Sequence, residues 1–265
     1  MTALARTPDA TATAPLLRLR GIRKSYGPVQ ALRGVDLDIA AGQVHALVGD
    51  NGAGKSTLIK VMSGSVHADA GQIEFDGRPV RLHSPAAAAG LGIATVYQDL
   101  ALCENLDVVA NLFLGREFSD RPLIGSLRRL REPQMHRRAQ QTLDSLSIRI
   151  PSLRTPVGSL SGGQRQAVAV GRAVLWGSRL VLLDEPTAAL GVEQTAQVLR
   201  LIRDVAARGL AVLVISHSLP DVFQVADQIS VLRLGANAGT FDRRATSAQA
   251  IVAAITGGLG IEGAM

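Results

Sequence analysis

Cysteine, aromatic side chains and long apolar runs are scarce in this chain of 265 residues. The one cysteine, Cys103, excludes an internal disulfide framework and a cysteine-based metal cluster, and it is typical of a reducing compartment. Aromatic residues are 3% of the chain, which leaves little material for the base-stacking platforms of single-strand binders. No apolar run approaches the roughly 18 residues of a membrane-spanning helix. We expect residues 1–14 to form a flexible tail and not a signal peptide.

The charge balance is basic. Lysine and arginine total 28 against 22 acidic residues, so the net charge is +6, and only three of the basic residues are lysines. Such a balance suggests nucleic acid or a membrane surface as a partner. The densest basic cluster lies within residues 128–138, and it is interpreted either as a solvated helix face or as a contact with a partner or lipid head groups. With 47% hydrophobic and 19% charged residues, the chain is expected to be globular.

Strand and helix patterns alternate along the chain. Residues 16–39 have strand character, with Val35, Leu37 and Ile39 alternating with acidic residues. Short apolar runs of strand length follow at Val44–Val48, Ile93–Val96, 180–183, Ala211–Ile215 and 229–232. An amphipathic helix is predicted at Val192–Ala207. Strand–helix–strand alternation favours an α/β fold with a mainly parallel sheet core and an N-terminal antiparallel β subdomain.

Further local signals divide the chain. Asp76-Gly77 predicts a hairpin whose second strand is 79–82. Thr246 with Gln249 resembles a capping box, and Gly257 is expected to end the helix that follows. Proline and glycine breaks between residues 105 and 176 indicate a mostly helical insert. We therefore predict one domain over 15–265, with a nucleotide-binding core at 15–98 and 178–265 and a helical subdomain at 99–177.

A glycine-rich motif follows the Val44–Val48 run. It fits G-x-x-x-x-G-K-[ST] and consists of Gly49, Asp50, Asn51, Gly52, Ala53, Gly54, Lys55 and Ser56. Glycines let the backbone curl so that N–H groups point at phosphate oxygens, and the next helix presents its positive end. Lys55 adds a charge for the β- and γ-phosphates, and the Ser56 hydroxyl suits Mg²⁺. The motif predicts a nucleoside triphosphate site without choosing among kinases, GTPases and motor ATPases.

Two acidic residues, Asp184 and Glu185, end the apolar run 180–183. A buried parallel strand delivers its carboxyl end to the crevice where ligands bind in open α/β sheets. Asp184 is therefore a candidate for holding Mg²⁺ through water. Glu185 is a candidate for orienting and deprotonating an attacking water.

A second anion-binding element precedes an amphipathic pattern. It is formed by Ser161, Gly162, Gly163 and Gln164, with Ser161 as the expected N-cap. One triphosphate needs only one such loop. We therefore predict that this element closes over a nucleotide held by another copy of the chain.

Taken together, these motifs resemble the ATP-binding cassette (ABC) ATPases. Leu160-Ser161-Gly162-Gly163-Gln164 is similar to the family signature, the segment from Gly49 through Thr57 to its Walker A motif, and 180–185 to its Walker B motif. The resemblance runs in order from about residue 16 to residue 255. It implies a P-loop fold with an inserted helical subdomain, ATP and Mg²⁺ as cofactors, and ATP hydrolysis.

Single residues also match the family. Gln98 resembles the Q-loop glutamine that contacts Mg²⁺ and couples to the membrane subunit. His217 resembles the switch histidine that senses the γ-phosphate, and Tyr26 the aromatic that stacks on adenine. One position departs: the family usually has an aspartate where Gly191 stands. This departure bears on communication between two sites and leaves Glu185 in place.

The segments around residues 96–117 and 187–195 look like the ATP-binding subunits of bacterial monosaccharide importers of the ribose, xylose and fructose type. That resemblance implies a homodimer, two transmembrane permease subunits, an extracytoplasmic substrate-binding protein and a peripheral location on the cytoplasmic face of the membrane. No nucleic-acid partner is expected. The alternatives are a soluble ABC ATPase acting on nucleic acid or ribosomes, and a non-hydrolysing module that only holds ATP.

Overall fold

The structure is a computed structural model that describes residues 14–120 and 129–258. Its strands, in chain order, are β1 (Leu17–Tyr26), β2 (Val29–Ile39), β3 (Val44–Val48), β4 (Ala70–Phe75), β5 (Arg78–Pro79), β6 (Ile93–Val96), β7 (Leu180–Asp184), β8 (Ala211–Ile215), β9 (Gln228–Arg233) and β10 (Ala236–Asp242). Its helices are α1 (Lys55–Met62), α2 (Pro85–Gly90), α3 (Val108–Phe113), α4 (Glu132–Ser145), α5 (Gly162–Leu175), α6 (Val192–Ala207), α7 (Leu219–Val225) and α8 (Ala248–Thr256).

The antiparallel sheet has four strands in the order β2-β1-β4-β5. The predicted alternation in β2 is confirmed, because Val35, Leu37 and Ile39 are buried while Asp36 and Asp38 are exposed. One face of this sheet packs on the core, as expected for an antiparallel sheet with one solvated side.

The hairpin prediction after β4 is correct in place but wrong in length. The turn at Asp76-Gly77 is present, yet β5 covers only Arg78 and Pro79 and not 79–82. Proline carries no backbone N–H for a ladder, and after one further bond from Val80 N to Ile73 O the chain leaves the sheet. Leu82 then enters the hydrophobic core.

The second sheet has six strands in the order β10-β9-β3-β8-β7-β6. Strands β9, β3, β8, β7 and β6 are mutually parallel, and β10 pairs antiparallel with β9 at the edge. Strands β3 and β8 are buried throughout, as is typical of parallel strands covered on both faces. All the apolar runs predicted as strands lie in this sheet.

The segment inserted between β6 and β7 contains α3, α4 and α5, which confirms a helical insert. These helices pack around their own apolar cluster, which includes Leu112, Phe113 and Leu143. Ser119 and Leu130 add an isolated antiparallel bridge. Arg128 of the basic cluster lies outside the described residues. The remaining members lie in or beside α4, and Arg137 and Arg138 line an open groove there.

Helix ends follow their capping residues. Helix α8 ends at Gly257 in the left-handed conformation, as predicted (φ 87°). The predicted cap at Thr246 is wrong by one residue: Ser247 is the N-cap, and its hydroxyl accepts a hydrogen bond from the backbone N–H of Ala250 at 3.2 Å. The two hydroxyl residues are adjacent, and the sequence pattern favours either of them equally.

His45, on β3, is buried, and its Nε2 lies 2.9 Å from Ser230 Oγ. Burial lowers the pKa of this imidazole to about 4, so the ring is neutral at pH 7.

Within residues 14–120 and 129–258, no helix has both the length and the apolar character needed to cross a bilayer.

Candidate nucleotide site

Four parallel strands end at one edge of the six-stranded sheet. Val96 pairs with Leu183, and Ile215 pairs with both Asp184 and Leu47, so β6, β7, β8 and β3 finish at nearly the same level. The loops that follow these strands carry Gln98, Glu185, His217 and the glycine-rich motif. The structure therefore brings these sequence-predicted residues to a single edge, as the parallel order requires.

The glycine-rich motif at residues 49–56, called the phosphate loop below, requires glycine at two positions. At Gly49 (φ 151°) an added Cβ would lie 2.2 Å from the carbonyl oxygen of Leu232. At Gly54 (φ 104°) it would lie 2.7 Å from the carbonyl oxygen of Ala31. The loop thus lies directly against backbone from β9 and β2, and side chains larger than hydrogen do not fit.

Two backbone hydrogen bonds of Gly235 connect the phosphate loop to β2. The turn between β9 and β10 contributes the N–H of Gly235, which donates to Ala53 O at 3.1 Å. The carbonyl of Gly235 accepts from Arg33 N on β2 at 2.7 Å. The antiparallel sheet and the parallel sheet therefore meet at the base of the phosphate loop.

Lys55 opens α1, and its side chain folds over the loop. Its Nζ donates to Gly49 O at 2.7 Å and to Asp50 O at 3.0 Å. Burial lowers the pKa of Lys55, while Glu185, Asp50 and Asp184 oppose that shift. Helix α1 has no side-chain cap at Gly54, so the N–H groups of its first turn are available to an anion. Ser56 is exposed in that turn and Thr57 is half-buried.

The acidic pair lies at the end of β7. Burial, together with the neighbouring charge of Glu185, raises the pKa of Asp184. Glu185 adopts a left-handed conformation (φ 51°), and its N–H donates to Ile215 O at 3.0 Å. The chain turns sharply at this residue, so its carboxylate lies beside the loop that follows β8.

Glu185 and His217 form a direct pair. The Nδ1 atom of His217 lies 2.8 Å from Oε2 of Glu185. An ionised carboxylate only accepts hydrogen bonds, so Nδ1 carries the proton and donates. The Glu185 side chain is 17% exposed and the imidazole 74% exposed. The carboxylate is thus oriented from one side, while the far edge of the ring faces solvent.

The second glycine motif begins α5. Ser161 Oγ accepts from Gln164 N at 3.3 Å, and Gln164 Oε1 accepts from Ser161 N at 3.0 Å, which completes a capping box. The predicted N-cap is therefore confirmed. Gly162 lies against Leu190, just before α6, and Gly163 lies against Gln194, in the first turn of α6.

This motif does not join the phosphate loop of its own chain. The cavity of about 740 Å³ beside it is lined by residues of α5 and α6 and of the turn at 146–149, and no phosphate-loop residue contributes. Gly191, at the departing position, is the N-cap of α6 and offers no side-chain acceptor.

Two further predicted residues lie at the margin. Gln98 is exposed two residues after the end of β6. Tyr26, at the end of β1, is 46% exposed, and Lys24 Nζ lies 5.7 Å from its ring centre. Within the described ranges, no three or more His, Cys, Asp or Glu side chains form a preassembled metal cluster.

Some contacts around the site escape sequence reasoning. Thr187 Oγ1 donates to Asp221 Oδ2 at 2.8 Å and ties the loop after β7 to α7. Arg172 of α5 donates to the carbonyls of Leu100 and Ala101, two and three residues after Gln98. Both contacts join residues 34 or more positions apart. No local sequence pattern predicts either contact.

A phosphate loop between a parallel strand and a helix, facing an acidic strand end, defines a P-loop nucleotide-binding protein. The sequence profile of the family described as ABC transporter matches residues 32–188, which is more than half of the chain. The chain belongs to the ABC transporter family.

Named relatives support this assignment. The fructose import ATP-binding protein FrcA of Rhizobium meliloti is 48% identical, over 83% of this chain and 86% of that protein. The xylose/arabinose import ATP-binding protein XylG of Sulfolobus acidocaldarius is 47% identical, over 83% of this chain and 85% of that protein. The ribose import ATP-binding protein RbsA of Burkholderia pseudomallei is 42% identical over 92% of this chain, which spans only 47% of that protein.

Solved structures agree with the fold. The ADP conformation of MJ1267, an ATP-binding cassette of an ABC transporter, superposes with a TM-score of 0.76 at 27% identity, covering 92% of this chain and 96% of that one. A nucleotide-free ATP-binding cassette from an ABC transporter gives a TM-score of 0.74 at 27% identity, over 86% of this chain and 91% of that one. The predicted α/β fold class is confirmed.

The phosphate loop gives a stability prediction. Gly49→Ala should lower the free energy of unfolding by about 3 kcal/mol or more, since it adds strain to a backbone clash with Leu232 O. Gly52→Ala is the matched control: it also has a positive φ (80°), but nothing lies within 4 Å of the added Cβ. It should cost roughly 1 kcal/mol. Urea unfolding measures both, and equal losses would contradict the close-approach argument.

Proposed function

We propose that this chain is the ATP-hydrolysing subunit of an ABC importer for a monosaccharide, and that each ATP lies between two copies of the chain. One observation carries the proposal. The phosphate loop, Asp184, Glu185 and His217 share one sheet edge, while the second glycine motif opens onto a separate cavity. One copy therefore presents two incomplete halves of a site.

The phosphate loop holds the triphosphate in this proposal. The loop comprises Gly49, Asp50, Asn51, Gly52, Ala53, Gly54 and Lys55, followed by Ser56 and Thr57 on α1. Lys55 exchanges its bonds to Gly49 O and Asp50 O for bonds to the β- and γ-phosphates. Charge-assisted hydrogen bonds of this kind contribute about 1.5–3 kcal/mol each. Tyr26, exposed at the end of β1, stacks on adenine.

The donor set fits Mg²⁺. Ser56, Asp184 and Gln98 offer hydroxyl, carboxylate and amide oxygens, the hard ligands that Mg²⁺ takes alongside water and phosphate oxygens. Burial and the charge of Glu185 raise the pKa of Asp184, while the charges of Lys55 and Lys60 oppose that shift; a bound cation would favour the ionised carboxylate. When bound, the ion supplies charge neutralisation to the phosphates.

Glu185 is the general base in this proposal. Its carboxylate, held by His217 Nδ1, accepts a proton from the water that attacks the γ-phosphate. The imidazole of His217 is 74% exposed, and in this proposal its second ring nitrogen contacts the γ-phosphate. The histidine thereby orients the base and senses the nucleotide at once.

The partner copy completes the site. Ser161, Gly162, Gly163 and Gln164 present the capped start of α5, whose positive end suits a γ-phosphate. Two copies meeting head to tail bury two ATP molecules, each between the phosphate loop of one copy and this motif of the other. Closure draws the helical subdomain, predicted at 99–177, toward the partner, and hydrolysis releases it.

The transport role follows from the family and its relatives. Fructose, xylose/arabinose and ribose import are named for the three relatives described above, and these names give no support to the nucleic-acid alternative. We place the chain at the cytoplasmic face of the membrane, bound to two permease subunits that receive sugar from an extracytoplasmic substrate-binding protein.

Substituting the proposed base should separate binding from turnover. Glu185→Gln should keep ATP affinity and slow hydrolysis by roughly 10²–10⁴, because the amide does not accept the proton. Glu132→Gln, in the first turn of α4 and away from both glycine motifs, is the control and should behave as wild type. Phosphate release and titration calorimetry measure the two quantities. Unaltered turnover in Glu185→Gln would refute the assigned base.

Mixing two inactive variants tests the shared site. Lys55→Ala should lose nucleotide binding. Ser161→Arg should block the second glycine motif, residues 161–164, which is called the partner-facing motif below. Each variant alone should therefore be inactive. A mixed dimer retains one intact site, made of the Ser161→Arg chain's phosphate loop and the Lys55→Ala chain's motif. For a two-fold dimer, an equal mixture should recover at most about a quarter of wild-type activity. Recovery that stays at zero, with mixed dimers demonstrated by pull-down, contradicts the head-to-tail arrangement.

Sugar uptake tests the physiological part. Cells lacking this chain should lose uptake of one radiolabelled monosaccharide among ribose, xylose, arabinose and fructose. The wild-type chain should restore that uptake, and Glu185→Gln should not. Detergent extracts should contain the tagged chain together with multi-spanning proteins. Normal uptake of every sugar in the deleted strain overturns the monosaccharide assignment while leaving the ATPase assignment intact.

A further inference from the structure

The loop that carries Gln98 contains the one pair of consecutive left-handed non-glycine residues in the described ranges. Leu100 has φ 59° and Ala101 has φ 45°. Elsewhere among these residues, left-handed non-glycine positions occur singly. Each such position is strained for a residue with a Cβ, and strain of this kind persists only where surrounding contacts impose it.

Arg172 supplies that contact. Its Nη1 donates to Ala101 O at 2.8 Å and its Nη2 donates to Leu100 O at 3.0 Å. The planar guanidinium therefore holds both strained peptide units at the same time. A lysine, with a single charged nitrogen, cannot reproduce this two-point grip.

The environment of Arg172 is unusual for a charge that serves only packing. The side chain is half-buried beside a cavity of about 320 Å³, which is also lined by Thr95 and Tyr97. Among the described residues it forms no ion pair within 4 Å, and burial lowers its pKa. A partly buried charge whose partners are two carbonyls is costly in desolvation compared with an apolar side chain.

Arg172 also lies on α5, the helix that begins at the second glycine motif. Eight residues separate it from Gln164, which corresponds to about 12 Å along the helix axis. Helix α5 thus carries the partner-facing motif at its N-terminus and, through Arg172, holds the turn that follows Gln98. The turn itself is tied back by hydrogen bonds from Leu100 N to Tyr97 O and from Ala101 N to Asp99 O.

We propose that Arg172 is a positioning residue that links the partner-facing motif to Gln98. Arg172 sets the conformation of the 98–101 turn according to the position of α5. When α5 docks on the partner's nucleotide, the turn therefore places the Gln98 amide at the cation bound to its own chain. The inference rests on the proposed function and assigns the residue through which the two halves of the site communicate.

Hydrogen exchange in the ATP-free protein tests the grip directly. In Arg172→Ala the amides of residues 98–102 should exchange at least about tenfold faster than in wild type, since the strained turn loses its two donors. Arg172→Lys should give an intermediate rate, and it decides the matter if the alanine variant does not fold. Wild-type exchange across 98–102 in both variants overturns the proposal.

Steady-state kinetics test the link to Gln98. Arg172→Ala should reduce kcat by about tenfold and raise the half-saturating Mg²⁺ concentration several-fold, while the Kd for ATP stays within about threefold, because the phosphate loop is untouched. Adding Ala101→Gly should restore part of the lost kcat, since glycine adopts the left-handed turn without strain. No recovery in that double variant, with unchanged Mg²⁺ dependence in Arg172→Ala, contradicts the proposed role.

Leu143→Ala is the matched control for simple destabilisation. Leu143 is buried on α4 and lies against α5 at Gly171, and its aliphatic side chain donates no hydrogen bond to the 98–101 turn. This variant should lower the unfolding midpoint yet keep wild-type Mg²⁺ dependence and exchange at 98–102. The same change in both readouts for Leu143→Ala and Arg172→Ala would reduce Arg172 to a packing residue. A wild-type chain without ATPase activity instead refutes the proposed function and leaves the exchange result standing.

Discussion

The candidate site depends on a close approach between three stretches of backbone. The phosphate loop lies so near to Leu232 O and Ala31 O that only glycine fits at positions 49 and 54. Gly235 then joins the loop to β2 through one donated and one accepted hydrogen bond. The loop is therefore shaped by both sheets together. Its curvature is set before any ligand arrives, and such preorganisation lowers the ordering cost of binding.

The chemistry of the site is built on a second constrained point, the end of β7. Glu185 holds a left-handed conformation and is bonded through its N–H to Ile215 O. This geometry turns its carboxylate toward His217, which follows the neighbouring strand β8. A few residues further along, the Thr187–Asp221 hydrogen bond ties the loop after β7 to α7, the helix that follows His217. Glu185 and His217 are thus held by the same pair of adjacent strands, and displacing either loop disturbs both residues.

Much of the fold follows from local sequence. Apolar runs predicted the strands of the parallel sheet because strands buried on both faces leave a continuous hydrophobic signature. The phosphate loop and the acidic strand end could be placed at one edge, since parallel strands share their direction. The cap of α8 was misplaced by one residue because Thr246 and Ser247 are chemically alike, and β5 was shorter than predicted because Pro79 interrupts the ladder.

Contacts across long sequence separations lay beyond this reasoning. The grip of Arg172 on Leu100 and Ala101, and the pairing of Thr187 with Asp221, depend on how the insert and the core pack. Neither glycine content nor hydrophobic period records such a contact. The roles given to Gln98, Tyr26 and the second glycine motif stay predictions, since they concern a ligand and a second copy of the chain.

The separation of the two anion-binding elements within one chain has a further consequence. When the halves of a site sit on different molecules, their encounter obeys mass action, and free copies at low concentration rarely meet. In the proposed importer, anchoring two copies to one permease pair replaces that bimolecular search with a high local concentration, as linkage does for any bivalent assembly. Unassembled chains would then hydrolyse little ATP, because hydrolysis would be confined to copies that are assembled on a permease pair.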